Sequence, residues 1–321
     1  MAKALIAMSG GVDSSLAAKL ITDAGFDCIG CTMKLYDNED VGVSRLHTCC
    51  SLEDVEDARS VAYQLGMPYY VFNFKDGFRQ RVIEPFAEAY QAGRTPNPCI
   101  DCNRFMKFEQ LFDRAKVLGC DYIVTGHYAR IEREGERFLL KKAVDDSKDQ
   151  SYVLYAMTQE QLRRTLLPLG GMRKTDVRRL AEESGFGNAA KPDSQDICFV
   201  PDGDYAAFLE RYTGKTFPQG SFVDTAGRVL GTHRGIVRYT IGQRKGLGLA
   251  LGKPMYVADI RPGDNTVVLG ENAELYRSAL VVGAFNWISG EAPTGGFPAR
   301  RRFATARRSS LPGRWCFRTT G

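Results

Sequence analysis

Residues 4–15 read ALIAMSGGVDSS. Ala4 to Met8 is a short apolar run with the length and flanks of a buried parallel strand. The run breaks at Ser9-Gly10-Gly11. An amphipathic segment then begins at Val12 and continues to about Ala24, with Leu16, Ala17, Leu20 and Ile21 at helical spacing. A strand, a glycine turn and a helix N-terminus in succession make a phosphate site. The glycines let the backbone come close, and the open N–H groups and helix dipole favour an anion. Ser9, Ser14 and Ser15 add hydroxyl donors, and Asp13 sets a carboxylate where it is expected to help hold Mg²⁺. The plainer alternative is a glycine turn that merely caps a helix.

No Gly-Lys-Ser/Thr follows, so the loop is not a Walker A sequence, and G-x-G-x-x-G is missing. SGGVDSS resembles instead the PP-loop of the ATP pyrophosphatases, which cleave ATP to AMP and pyrophosphate.

The chain has 321 residues, enough for two or three domains, with 44% hydrophobic and 25% charged residues, an ordinary globular composition. No apolar run reaches membrane length and no signal peptide is visible, so a cytoplasmic protein without a membrane partner is expected. The nine cysteines are then expected to be reduced, catalytic or metal-related rather than a disulfide framework. The net charge of +5 is local: residues 292–321 carry seven arginines and no acid, leaving 36 basic residues against 38 acidic elsewhere. Overall basicity is therefore weak support for RNA binding.

The first half alternates strands and helices. Strands are expected at Cys28–Met33, Tyr69–Phe74 and Tyr122–Thr125, and helices at Asp54–Leu65, Phe78–Ala92 and Phe105–Leu118. This rhythm predicts an α/β parallel sheet with its ligand at the carboxyl ends of the strands. SGGVDSS and TGHYA (residues 125–129) both follow strand ends. Residues 151–215 read as mainly helical, clearest at Arg163–Leu167 and Asp176–Ser184. After Gly220, short segments at Ile236–Ile241, Pro254–Ile260, Asn265–Leu269 and Leu280–Phe285 predict a small antiparallel β domain. The expected division is 1–150, 151–215, 216–295 and an aberrant basic tail at 296–321.

Thr95-Pro96-Asn97-Pro98-Cys99-Ile100-Asp101-Cys102-Asn103 is a proline-stiffened loop, with helical pattern resuming near Arg104. A thiol at a helix N-terminus is a good nucleophile. Asp193-Ser194-Gln195-Asp196-Ile197-Cys198-Phe199 places another cysteine in a polar loop. An ATP-cleaving loop plus distant loop cysteines suggests that ATP activates an oxygen and sulfur replaces it.

With SGGVDSS, MKLYD, TPNPCIDCNRFMKF, TGHYAR, KDQSYVLY, KPDSQDICF and YTIGQRKGLG in order between about residues 3 and 290, the chain resembles the bacterial tRNA-specific 2-thiouridylases. The resemblance implies an N-terminal PP-loop domain of adenine nucleotide α-hydrolase type, a central tRNA-contacting segment and a C-terminal β-barrel. It implies ATP on Met8, Ser9, Gly10, Gly11, Val12, Asp13, Ser14 and Ser15, with Met33 and Gly126 near the adenosine. Cys198 would receive a persulfide from a sulfur-carrier protein or cysteine desulfurase, and Cys102 would resolve it through a disulfide. Asn97, Pro98 and Cys99 would lie near the target uridine, His127 would border the site, and Lys148, Asp149 and Gln150 would lie near the tRNA. The expected substrates are tRNAs for Lys, Glu and Gln.

Many members of that family have Asp where this chain has Cys99. Cys99 and Cys102 make a CxxC here, and with Cys198 three thiols can hold an iron–sulfur cluster, or zinc. Cys28, Cys31 and Cys120 read as small core residues. His47 and His233 read as structural, and Cys49-Cys50 as packing residues in a loop. Arg234, Arg238, Arg244 and Lys245 around Tyr239 read equally as phosphate contacts or a solvated face. The family's C-terminal barrel extends a few dozen residues further, and the pattern here changes near Gly295. A frameshift or mis-set gene end around 295–303 is expected, with a genuine RNA-binding arm as the alternative. Two other functions stay open: another PP-loop synthetase, and a truncated tRNA-binding protein with little catalysis.

Overall fold

The computed structural model describes residues 1–37, 52–193, 196–276 and 282–292, and the backbone of two short strands at 297–299 and 313–315. The expected Cys49-Cys50 and His47 roles, and most of the basic tail, lie outside the described residues.

The N-terminal sheet has five parallel strands: β1 (Lys3–Ala7), β2 (Asp27–Lys34), β3 (Tyr69–Asn73), β4 (Tyr122–Val124) and β7 (Thr165–Leu166). Their order is β3-β2-β1-β4-β7. The chain therefore winds outward from β1 in one direction and from β4 in the other. The crevice at the carboxyl ends of β1 and β4 is the topological switch point where such sheets bind ligands. Alternation along β1 divides the core in two. Ala4 and Ile6 face the cluster formed with α1 (Val12–Asp23), α2 (Leu52–Gln64) and the helix Lys174–Glu183. Leu5 faces a larger cluster that includes Ile29, Cys31, Phe78, Phe86, Met106 and Phe199.

Helix runs through Lys75–Phe78, Arg79–Ile83 and Glu84–Gln91, the middle piece π-wound, and again through Pro98–Asp101, Cys102–Gln110 and Leu111–Val117. The second run begins six residues before Arg104, where helix was expected to resume. Pro98 at the first helical position lacks only an N–H that would be unsatisfied anyway, and the Asn97 side chain accepts from the Cys99 amide. The loop prolines thus start a helix rather than exclude one.

Other expectations need correction. Arg163–Leu167 is not helical throughout: a helix ends at Arg163 and Thr165–Leu166 pairs with β4 as the sheet's edge. The expected boundary at 150 therefore cuts the parallel sheet. An unexpected hairpin, β5 (Ala129–Glu134) with β6 (Arg137–Lys142), also covers the core around Phe108, Val153 and Leu154.

The second sheet has the order β10-β11-β8-β9, built from β8 (Gly220–Asp224), β9 (Val229–His233), β10 (Tyr256–Arg261) and β11 (Thr266–Gly270). Its β10–β11 and β8–β9 pairs are antiparallel, and β11 lies parallel to β8. Ile236–Arg238 is a 3₁₀ turn instead of a strand, and residues 282–285 form no strand. In the tail, β12 (Phe297–Ala299) pairs antiparallel with β13 (Gly313–Trp315), a pairing the Arg-rich sequence did not suggest. Phe222, Val257 and Leu269 of this sheet join the same core cluster as Phe86 and Phe199. Among the described residues no helix is long and apolar enough to cross a membrane.

Candidate active site

The loop after β1 is shaped by Gly10 and closed by its serines. Gly10 has φ +76°, and a Cβ there would fall 2.3 Å from the Asp54 carbonyl oxygen, so only glycine fits beneath α2. Ser14 Oγ accepts from the Ser9 amide at 3.1 Å and donates to the Gly11 carbonyl at 3.0 Å. Gly11 precedes α1 without any side-chain cap, leaving the first N–H groups of that helix to the loop. Gly126, past the end of β4, backs onto the same turn. A Cβ there would lie 2.8 Å from the Asp13 carbonyl carbon and 2.9 Å from the Ser14 nitrogen. Residues 8–15 and Gly126 therefore come together, while half-buried Met33 sits at the end of β2.

Asp13 is already occupied. Lys174 Nζ lies 2.7 Å from both its oxygens, and Tyr128 donates its hydroxyl to Oδ1 at 2.7 Å. Lys174 also reaches Asp193 at 2.8 Å, and Asp193 pairs with Lys148 and Arg178, each at 2.7 Å. Burial pushes the Asp193 carboxyl up, but Lys148 and Lys174 outweigh it and hold it below the usual range. Burial and the neighbouring Asp13 push the Tyr128 phenol far up, so it stays a donor. An ammonium therefore sits against both oxygens of Asp13, the carboxylate expected to help hold Mg²⁺.

His127 is buried. Lys107 has only donors to offer, so His127 Nε2 accepts from it at 3.3 Å and Nδ1–H donates to Thr125 Oγ1 at 2.7 Å. Burial first and Lys107 second push its pKa well below 6.5. This imidazole is neutral and locked into one tautomer.

The three residues expected near the tRNA also make contacts within the protein. Lys148 pairs with Asp193. Asp149 is 5% exposed and accepts from the Ala143 and Ser151 amides and from the Ser151 hydroxyl. Gln150 accepts from the Tyr128 amide at 3.0 Å and donates its own amide to the Tyr128 carbonyl at 2.8 Å. Together they brace the turn that holds Tyr128 over Asp13.

Cys99 is exposed at the helix start, and Cys102 and Cys198 are half-buried. Cys102 and Cys198 pack on one core cluster, and Tyr36 donates its hydroxyl to the Cys198 carbonyl at 2.6 Å. The Tyr205 phenol is pushed up by burial first and then by Asp196 and Cys99. Among the described residues, which include all three cysteines, no group of three or more His, Cys, Asp or Glu side chains is arranged to hold a metal ion. The thiols therefore do not fit an iron–sulfur cluster or zinc as placed, since such sites need ligands converging on one centre. Cys28, Cys31 and Cys120 are buried, as expected of core residues, and burial pushes all three thiols up. His233 is structural: its Nε2 donates to the Asn265 carbonyl and its Nδ1 accepts from the Gly235 amide.

Sequence reasoning missed Lys174, Tyr128, Arg178, Asp193 and Asn188 as site residues. Tyr128 and Asp193 lay within quoted motifs. Lys174 and Asn188 gave no local signal. Asn188 donates to the Gly10 carbonyl at 2.8 Å and to Ser15 Oγ at 2.9 Å, while its own Oδ1 is buried without a partner among the described residues.

A family model described as the tRNA methyl transferase HUP domain matches residues 2–202, and one described as the tRNA methyl transferase PRC-barrel domain matches residues 206–271. A protein of Clostridioides difficile (strain 630) named tRNA-specific 2-thiouridylase MnmA is 53% identical over 289 residues, covering 89% of this chain and 80% of its own. One of the same name from Lachnoclostridium phytofermentans is 52% identical over 293 residues, covering 91% of this chain and 82% of its own. Among solved structures, a 4-thiouridine synthetase–RNA complex with bound ATP is 22% identical, covers 66% of this chain and 50% of its own, and has a TM-score of 0.42.

Proposed function

The chain belongs to the family of the tRNA-specific 2-thiouridylases, and we propose that it uses ATP to replace the C2 oxygen of the wobble uridine in tRNAs for Lys, Glu and Gln with sulfur. The observation that carries this reading is the junction of two features. A glycine-shaped loop with open helix N–H groups lies at the sheet's switch point. Two half-buried cysteines pack on one core cluster beneath the same sheet. The matching family model is described by methyl transfer. A phosphate-cradling loop and two cysteines packed on one core cluster suit ATP-driven sulfur transfer better, since methyl transfer needs neither.

In the mechanism, the uridine C2 oxygen attacks the α-phosphorus of ATP, and pyrophosphate leaves from the loop at residues 8–15. The terminal sulfur of a Cys198 persulfide attacks C2 and AMP departs. The Cys102 thiolate then attacks Cys198 Sγ. That step forms a Cys102–Cys198 disulfide, breaks the persulfide S–S bond and leaves the sulfur on C2. A cellular thiol reductant must restore both thiols, and a sulfur-carrier protein or cysteine desulfurase must recharge Cys198. Asn97, Pro98 and Cys99 line the approach to the target base. His127, neutral and fixed, is a steric and hydrogen-bonding wall rather than a proton carrier. Mg²⁺ enters with the triphosphate of ATP. The proposed units are a nucleotide-binding α/β domain, a central segment whose strand completes its sheet, and a C-terminal β domain.

The test is anaerobic thiolation of an unmodified Glu tRNA transcript with ATP and a persulfide donor, in metal-free buffer. Wild type and Cys99→Ser are expected to be active and Cys198→Ser inactive. Activity that appears only after iron and sulfide are added, and is lost in both variants, would overturn the persulfide route. Tight tRNA binding without turnover under any condition would favour a binding protein.

A further inference from the structure

Asn188 meets the phosphate loop across 178 positions of sequence. It is 5% exposed, and its Nδ2 bonds the Gly10 carbonyl and Ser15 Oγ. A carbonyl only accepts, so the nitrogen of the amide, not its oxygen, faces the loop, with one hydrogen for each partner. The Oδ1 on the other side is buried without a partner among the described residues. An orphaned buried acceptor costs stability, so this amide is poorly explained as a packing residue.

Its two bonds act on two successive peptides. Across a peptide unit the C=O and N–H point opposite ways. Pinning the Gly10 carbonyl to Asn188 therefore turns the Gly11 N–H to the other side, and among the described residues that N–H has no acceptor. The second bond acts one peptide further on. Ser15 Oγ accepts from Asn188 and gives its own hydrogen to the Gly11 carbonyl at 3.1 Å, where the Ser14 hydroxyl also donates. That carbonyl is held back, and the Val12 N–H is turned forward. Gly10 and Gly11 carry no Cβ, so the peptide between them turns over easily. Turned over, it would set a carbonyl oxygen against a bound anion in place of an N–H donor.

We propose that Asn188 is a positioning residue that holds the Gly10 and Gly11 carbonyls back, directly and through Ser15, so that the Gly11 and Val12 N–H groups face the pyrophosphate portion of the bound nucleotide. This rests on the reading that the loop binds ATP. The serine hydroxyls then shape the loop, and its backbone N–H groups meet the phosphate.

The experiment uses the full chain with isotope-labelled glycine, inorganic pyrophosphate with Mg²⁺, and adenosine, all read by NMR titration. Pyrophosphate is expected to move the Gly11 amide proton strongly downfield in wild type. Asn188→Leu is expected to bind pyrophosphate about tenfold or more weakly, the equivalent of one N–H bond to a charged group. It is expected to lack the Gly11 shift and to bind adenosine as wild type does. Asn188→Asp keeps the shape but sets only an acceptor against the Gly10 carbonyl. It is expected to lose the Gly11 shift as well, and it decides the matter if Asn188→Leu fails to fold. Wild-type affinity and Gly11 shift in either variant overturn the proposal while the loop assignment stands. So do equal losses for adenosine and pyrophosphate, which would mark general damage, or pyrophosphate binding by wild type that leaves the Gly11 amide unmoved. Absence of pyrophosphate binding by wild type overturns the loop assignment, and the proposal with it.

Discussion

His127 shows how one residue's chemistry is set by what surrounds it. Its pKa is depressed by burial and by Lys107, so the folded protein holds it neutral while the unfolded chain protonates it below about pH 6.5. The unfolded state binds more protons there, so this contribution is complete above that pH and is lost as pH falls. The loss is about 1.4 kcal/mol per pH unit below the unfolded pKa, until the folded value is reached. Urea unfolding at pH 7.5 and 5.5 is expected to show this difference in wild type and not in His127→Gln. A pH dependence equal in both would refute it. The residue was legible in the sequence as following a strand end. Its protonation state was not, because that depends on Lys107, 20 positions away.

At the scale of elements, the helix that opens at Pro98 positions two of the thiols. Asn97 Oδ1 accepts from the Cys99 amide at 3.1 Å, and Asn103 Nδ2 donates to the Cys99 carbonyl at 2.8 Å. Cys99 is thus held from both sides, and Cys102 follows in the next turn. Asn97→Ala removes a capping acceptor and is expected to cost about 1 kcal/mol in denaturant unfolding. It is also expected to slow thiolation with nucleotide affinity unchanged, because the start of the helix frays and takes the thiols with it. Equal losses in nucleotide affinity and rate would place the damage at the phosphate loop instead. The prolines were legible as a stiff loop. That they begin a helix depends on the Asn97 cap and on the burial of Pro98, which residue type alone does not reveal. The two-residue strand at Thr165–Leu166 is a similar case, since it is defined by its pairing with β4 rather than by any alternation of its own.

Across the whole molecule, the α/β part and the second sheet share one core. Phe199 packs edge-on against Phe86 and Phe78 and tilted against Phe208, in the cluster that also holds Phe222, Val257 and Leu269. The two parts are therefore expected to unfold together. Phe199→Ala is expected to destabilise by about 3–5 kcal/mol. Hydrogen exchange should then rise in β8 and β11 as well as in the neighbouring helices. A rise confined to one part would show that the shared core does not couple them.

What the sequence determined by itself is the local chemistry. The strand, glycine turn and helix of residues 4–15, the parallel βαβ rhythm, the buried cysteines and the family follow from short-range pattern, because backbone conformation and hydrophobic periodicity are written in neighbouring residues. Only the tertiary structure decided the charge partners of the loop. Lys174 meets Asp13 across 161 positions, and Gln150 bonds Tyr128 across 22. Such ion pairs exist because the Lys174–Glu183 helix packs on α1 over one face of the sheet. No local pattern records which charge that packing sets against which.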